Sequence, residues 1–349
     1  MRLELREKSS LLLKAMVPIS AGTAALFCCS ILIVWAGASP FEALALLIKG
    51  SVGSKFAISE TLTRATPLTY TGLAAAVAFR AKLWNIGAEG QFYAGACAAS
   101  WLGTGMLDLS PWLMIPFLFA AGALAGVLLL LGPTLLKTKL AVDEVVTTLL
   151  LNFIVLLFVN WLVFGPWKDP MAMGWPQAKP VLDSALLGII IPKTRLHWGL
   201  VLALGASLGT WFLMRFTIWG YEIRSVGFNQ IASRFAGIPV NMVIVRTALI
   251  SGGLAGCAGV AELCGVKSYL TLDLSPGFGY SGIVVAMLAS LHPLWVVLSA
   301  LFVAILSIGA DSMSRSLNIS NYIADVATAI SLLAVLVSML FTRYRLKWR

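Results

Sequence analysis

The densest polar chemistry inside apolar sequence is Asn85-Ile-Gly-Ala-Glu89-Gly-Gln91, where two amides and a carboxylate alternate with glycines. Glycine lets backbones approach closely, and Asn, Glu and Gln at membrane depth must find internal partners. Asn85, Gly87, Glu89, Gly90 and Gln91 therefore read as a helix break or packing node, structural or gating, beside a solute path. The competing reading is a helix start at the membrane interface, with Asn85 as its cap and Glu89 near water. Asn152 lies deeper in an apolar run and is a candidate for the pathway or for a helix interface. Asp143 and Glu144 open that run, where negative side chains suit the unpaired amides of a helix N-terminus.

Patterns for covalent or hydrolytic chemistry are missing. The sequence has no GxxxxGK[ST], HExxH or GxSxG, and its two histidines, His197 and His292, leave little for a histidine-based metal or triad site. Its five cysteines lie in or near apolar segments with no CxxC pair, and read as small buried hydrophobes. The expectation is no metal, no cofactor and no ATPase site of its own. Transport would then draw on an ion gradient or on a partner. Ion-coupled carriers often keep ionisable residues at mid-membrane. The acids here cluster near span ends, which favours a partner.

Composition says what must hold these residues. Of 349 residues, 59% are apolar and only 11% charged, against about 25% charged in a soluble domain. That balance excludes a single soluble core and predicts a polytopic membrane protein. The net charge of +10 sits in short tracts beside apolar runs. Orientation in an anionic membrane explains it, and no nucleic-acid partner is expected. Apolar runs at 11–36, 66–79, 86–102, 111–131, 142–163, 199–216, 242–261, 278–291, 294–309 and 324–341 predict an all-α bundle of about ten transmembrane helices. The stretch 39–61 reads as a surface or re-entrant element, and 164–197 as a long proline-bearing loop. The expected organisation is a cytoplasmic segment 1–10, a transmembrane domain 11–342 and a basic tail 343–349, with both termini in the cytoplasm. Tyr70-Thr-Gly-Leu and Tyr280-Ser-Gly-Ile open two short spans, either as matched repeat halves lining a path or by chance similarity.

One polar interval, 219–241, separates two strongly apolar runs and carries Arg224 and Arg234, with Arg215 and Arg246 beside it. The positive-inside rule places it in the cytoplasm. Residues 221–226 and 231–236 read as short amphipathic helices that Gly227 and Gly237 can end. Such a pair suits contact with a cytoplasmic partner, or simply a basic loop at the membrane surface.

Four segments in order resemble one family. Ala78-Phe-Arg-Ala-Lys-Leu-Trp-Asn-Ile-Gly-Ala-Glu-Gly-Gln91 is close to AFRAGLFNIGAEGQ, and Val226-Gly-Phe-Asn-Gln-Ile-Ala-Ser-Arg-Phe-Ala-Gly-Ile238 is similar to VGxNPxAARYAGI. Glu60-Thr-Leu-Thr-Arg-Ala-Thr-Pro-Leu68 and Ser275-Pro-Gly-Phe-Gly-Tyr-Ser-Gly-Ile-Val-Val-Ala286 also look like family segments. The chain resembles permease subunits of ATP-binding-cassette importers for nucleosides and simple sugars, of the type served by basic-membrane-protein-family lipoprotein receptors.

The resemblance implies a type II importer-like permease in a bacterial plasma (inner) membrane, moving a nucleoside by alternating access. A simple sugar is the close alternative, and an ion-coupled secondary transporter a more distant one. It also implies cytoplasmic ABC ATPase subunits, a second permease, identical or homologous, and an extracytoplasmic solute-binding lipoprotein as partners. Interval 219–241 would seat in a cleft of the ATPase, with Arg224, Gly227, Asn229, Arg234 and Gly237 as coupling residues. Gln230 stands where the family has proline, and Trp84 where it commonly has Phe.

Overall fold

The computed structural model describes residues 2–5, 23, 27–106 and 109–347. Most of the expected first span, 11–36, and of segment 1–10 lies outside the described residues, as do the last two residues of the tail. In chain order the elements are β1 (Arg2–Leu5), α1 (Phe27–Trp35), α2 (Pro40–Val52), α3 (Lys55–Arg80), α4 (Ala88–Gly103), α5 (Pro111–Leu140) and α6 (Glu144–Phe164). They continue with α7 (Gly199–Phe216), α8 (Ile218–Phe228), α9 (Gln230–Phe235), α10 (Val240–Glu262), α11 (Phe278–Leu288), α12 (Pro293–Leu317), α13 (Asn321–Arg343) and β2 (Tyr344–Lys347).

Local chemistry sets several of these boundaries. α5 starts with Pro111, whose missing N–H is harmless in a first turn. It ends at Ala141, in the left-handed region at φ 55°, with Lys137 and Lys139 in the last turn, where cations suit the helix dipole. Asp143 caps α6 by accepting from the Val145 amide at 2.8 Å, as its position in the sequence predicts.

The chain forms two compact units, Met1–Thr61 with Leu301–Arg349, and Leu62–Ala300. In the first, Cys29, Ile33, Ala43, Ala310, Met313 and Ala327 make the core. α1 and α2 meet at a 107° bend, a broken span or re-entrant loop at the start of the stretch expected to lie on the surface. β1 pairs antiparallel with β2, so the two ends of the chain lie side by side.

In the second unit α10 runs against α4 and α5 along a seam of small residues. A Cβ on Gly256 would overlap the Gly122 carbonyl of α5, and one on Gly95 of α4 would overlap the Gly256 carbonyl. Small residues at such a seam bring helix backbones into contact, which is how helices hold together in lipid without a hydrophobic driving force.

The count of about ten crossings is wrong. Among the described residues five helices are long and apolar enough to cross a membrane: α5, α6, α7, α10 with its extension to Lys267, and α12. The bent α1–α2 pair makes six if it is one span. The protein is a helical, multi-pass membrane protein with five to six candidate spans among its described residues. Three of the remaining expected spans fail for physical reasons. α4 has 16 residues and α11 only 11, against the roughly 20 that hydrocarbon requires. α3 is long enough, but Lys55, Glu60, Arg64, Arg80 and five threonines dilute its apolar residues, so no stretch of it is apolar enough to span. In α13 the described apolar stretch is Asn321–Ala334.

Candidate functional site

The polar knot forms where the turn after α3 enters α4. Asn85 and Gln91 exchange side-chain amide hydrogen bonds at 3.0 and 2.9 Å. Asn85 also donates to Ser251 of α10 at 3.0 Å, and Ser251 donates to the Ala74 carbonyl of α3 at 2.8 Å. On the other side of α4, Asn152 of α6 accepts from the Gly90 amide at 2.8 Å. Its own amide donates to the Ile86 carbonyl at 2.9 Å and to the Tyr280 hydroxyl of α11 at 3.1 Å. Glu89 accepts from the Gly279 amide at 2.6 Å and also bonds Ser275.

All five residues singled out between 85 and 91 thus come together with Asn152. Glu89 is 3% exposed, so it does not sit near water. Asn85 is not the cap of α4 but accepts from the Gly87 amide at 2.9 Å, two residues on. Sequence reasoning did not single out Ser251, Ser275, Tyr280 or Thr148, whose hydroxyl accepts from the Ile86 amide at 3.3 Å, as members of this network. Tyr280 and Ser275 did lie in a segment with a family likeness. Nothing in the sequence marked Ser251 and Thr148 among so many small polar residues in apolar helices.

The Tyr-x-Gly segments of α3 and α11 meet each other. Thr71 donates to the Phe278 carbonyl at 2.9 Å, a Cβ on Gly72 would press Val285 at 2.7 Å, and one on Gly282 would crowd Thr71. Below the knot, Glu144 at the start of α6 pairs with Lys137 of α5 and accepts from the Trp84 amide at 3.1 Å. The turn between α3 and α4 is therefore anchored to both neighbouring helices.

The second cluster is the α8–α9 hairpin. α8 does not stop at Gly227; it runs to Phe228, and Asn229 then caps α9 by accepting from Ile231 and Ala232 at 2.9 and 3.0 Å. Gly227 is needed for another reason, since a Cβ there would overlap the Arg80 carbonyl at the end of α3. Gly237 does end α9. At φ 82° it takes the left-handed conformation, and Ile238 bonds back to the Ser233 carbonyl at 3.0 Å. Arg246 of α10 pairs with Glu222 at 3.0 Å and lies 5.2 Å over the Trp219 ring, tying α8 to α10. Burial first, and the like charge of Arg224 second, hold the Arg80 guanidinium below its ordinary value.

The hairpin also exposes what the sequence reading passed over: Phe228 at 82%, Ile231 at 71% and Phe235 at 90%. They were hidden by reading the interval for its arginines. Arg234 is exposed among them, and Arg224 is half-buried.

At the other end of α10, its helix continues through a π-helical turn, Leu263–Lys267. The irregular 165–197 loop is stitched to this stretch by backbone bonds, from Ala178 to Leu270 at 2.9 Å, Val181 to Ser268 at 2.8 Å and Leu187 to Cys264 at 2.9 Å. His197 is buried there beside Gly199 and Gly265 and accepts from the Gly199 amide at 3.1 Å. Burial pushes its imidazole down to about 4, so it is a neutral wedge at ordinary pH.

A family model described as "Branched-chain amino acid transport system / permease component" matches residues 57–342. The guanosine ABC transporter permease protein NupP of Bacillus subtilis is 34% identical over 322 residues, covering 92% of each chain. The glucose ABC transporter permease protein TsgB13 of Haloferax volcanii is 31% identical, covering 94% of this chain and 88% of its own. The nucleoside ABC transporter permease protein NupB of Lactococcus lactis is 29% identical over 90% of this chain and 89% of its own. Among solved structures, PsaBC from Streptococcus pneumoniae in complex with Fab matches at TM-score 0.50 and 13% identity. That match covers 85% of this chain and 95% of the other, and bears on the fold alone.

Proposed function

Since the chain belongs to the family of branched-chain amino acid transport system permease components, and is an ABC-transporter permease subunit related to nucleoside and sugar uptake systems, we propose that the small solute it carries is a nucleoside. Two of the similar permeases are named for guanosine and for nucleosides, at 34% and 29% identity. The 31% identity to a permease named for glucose supports a simple sugar as the second reading.

In this reading interval 219–241 is the cytoplasmic coupling element, and both chain termini are cytoplasmic. The observation that carries it is the hairpin surface: Phe228, Ile231 and Phe235 exposed together beside Arg224 and Arg234. Large aromatic and aliphatic groups among cations are the composition of a docking surface. Cytoplasmic ATPase subunits would dock there, a second permease would complete the path, and a solute-binding lipoprotein would deliver the solute from outside. Nucleotide binding must favour one of two helix arrangements to drive transport, and Arg224, Gly227, Asn229, Arg234 and Gly237 shape the surface through which it does so. Asn85, Gly87, Glu89, Gly90 and Gln91 hold the bundle in register around α4, and Asn152 acts with them at a helix interface, where its side-chain oxygen and amide are both engaged.

The test is uptake into proteoliposomes holding the complete complex. ATP-dependent guanosine uptake that excess glucose leaves unchanged is the expected result. Glucose uptake with which guanosine does not compete would replace the nucleoside by the sugar. Solute uptake that persists without the ATPase subunits would remove the coupling role of the hairpin.

A further inference from the structure

A cleft of about 670 Å³ opens between the last turn of α5 and the first turns of α10, beneath α9. Its volume lies within the range of sites that hold a sizeable small molecule. One wall is apolar, made by Leu135 of α5 and by Val240, Met242 and Val245 of α10. The lining also includes two cationic residues, Lys139 and Arg234, with Thr138 and Asn241, and no acidic residue. Both α5 and α10 are candidate membrane spans, and Leu136 and Leu140 lie exposed next to the cleft at the end of α5.

The two halves of the cleft ask for different things. A free inorganic anion would use the cations and leave the apolar wall unused. An apolar peptide or a neutral lipid would use the wall and leave Lys139 and Arg234 unmatched. An amphiphile with an anionic head uses both, and the membrane in which α5 and α10 lie supplies one. We propose that this cleft holds an anionic phospholipid, its phosphate between Lys139 and Arg234 and the upper part of its acyl chains against Leu135, Met242 and Val245. Because Arg234 belongs to α9, the lipid head bridges a spanning helix and the hairpin. Two cations near an anionic lipid surface correspond to roughly a 30-fold preference for the charged over the neutral lipid.

The experiment uses the full-length permease in nanodiscs of phosphatidylcholine with phosphatidylglycerol, followed by gentle detergent extraction and native mass spectrometry of the lipids retained. Wild type should keep phosphatidylglycerol over phosphatidylcholine by roughly 30-fold. The double variant Lys139→Gln and Arg234→Gln should bring that ratio near unity. A charge-matched control, Lys179→Gln with Arg195→Gln in the 165–197 loop, should leave it unchanged. Met242→Trp, which fills the apolar wall and alters no charge, should also strip the lipid. Equal retention of the two lipids by wild type, or a preference that survives both the double variant and Met242→Trp, overturns the proposal. So does displacement of phosphatidylglycerol by millimolar inorganic phosphate, which would mark a soluble-anion site. Loss of the bound lipid on adding the ATPase subunits, with the variants inert, would assign the cleft to a protein contact and overturn it too.

Discussion

The knot around α4 and the α8–α9 hairpin share an unusual density of polar residues, and they treat them in opposite ways. In the knot Asn85, Gln91, Asn152 and Glu89 bond to one another, to backbone and to Ser251, Tyr280 and Ser275. In the hairpin the chain satisfies its own backbone, through Asn229 at the cap and the turn at Gly237, and leaves large apolar side chains facing outward. A buried polar group without a partner is costly, so the knot is closed and self-sufficient. An exposed apolar cluster gains by being covered, and in the proposed reading an ATPase subunit covers it. Polar density in a membrane sequence therefore marks two different things, and burial tells them apart.

The strongest way to break that contrast is Asn152→Leu. It leaves the Gly90 amide and the Ile86 carbonyl buried without partners, at a cost of about 2–6 kcal/mol. Thermal unfolding in detergent should show a large fall, and a loss below about 1 kcal/mol would mean that the knot is not closed as described. Phe235→Asp should do the reverse. The expected outcome is an unfolding temperature near wild type and ATPase affinity lower by about 30-fold, the effect of losing a well-buried interface anchor. Gly227→Val joins the two regions, because its side chain would press the Arg80 carbonyl at the base of the knot. Overpacking of this kind costs about 1–3 kcal/mol. It should also reduce solute-stimulated ATPase turnover although residue 227 is not itself part of the exposed apolar cluster. Glu222→Gln removes the partly exposed pair with Arg246 and should cost under about 1 kcal/mol. Its clearer readout is a looser hairpin, seen as faster amide exchange over α8.

What the sequence made plain was local. The interval 219–241 stood out because polar residues interrupt two apolar runs, and the helices expected at 221–226 and 231–236 lie within or beside α8 and α9. α5, α6, α7 and α10 were visible as long apolar runs, and Asp143 as a cap. The crossing count was not visible, because a short apolar helix inside a bundle has the same composition as one facing lipid. α4 and α11 differ from true spans only in length and in what covers them. The knot was half visible: 85–91 announced itself, whereas its tie to Tyr280 spans 128 positions from Asn152 and leaves no local trace. Residues 72 and 282 belong to segments noted for their similarity, yet only the fold shows that the two glycines lie where α3 and α11 touch.

The helix that begins beside the hairpin does not end where its α-helical hydrogen bonds do. Val240–Lys267 is one candidate span of 28 residues, its last five in the π-helical turn, about 40 Å from end to end. One tip starts three residues after the turn at Gly237; the other leads into Ser268 and Leu270, to which the 165–197 loop is sewn. A continuous helix transmits tilt. A pivot of about 5° about its middle would carry each tip roughly 2 Å in opposite directions, so any tug on the near tip is felt at the far one as a swing of its cover.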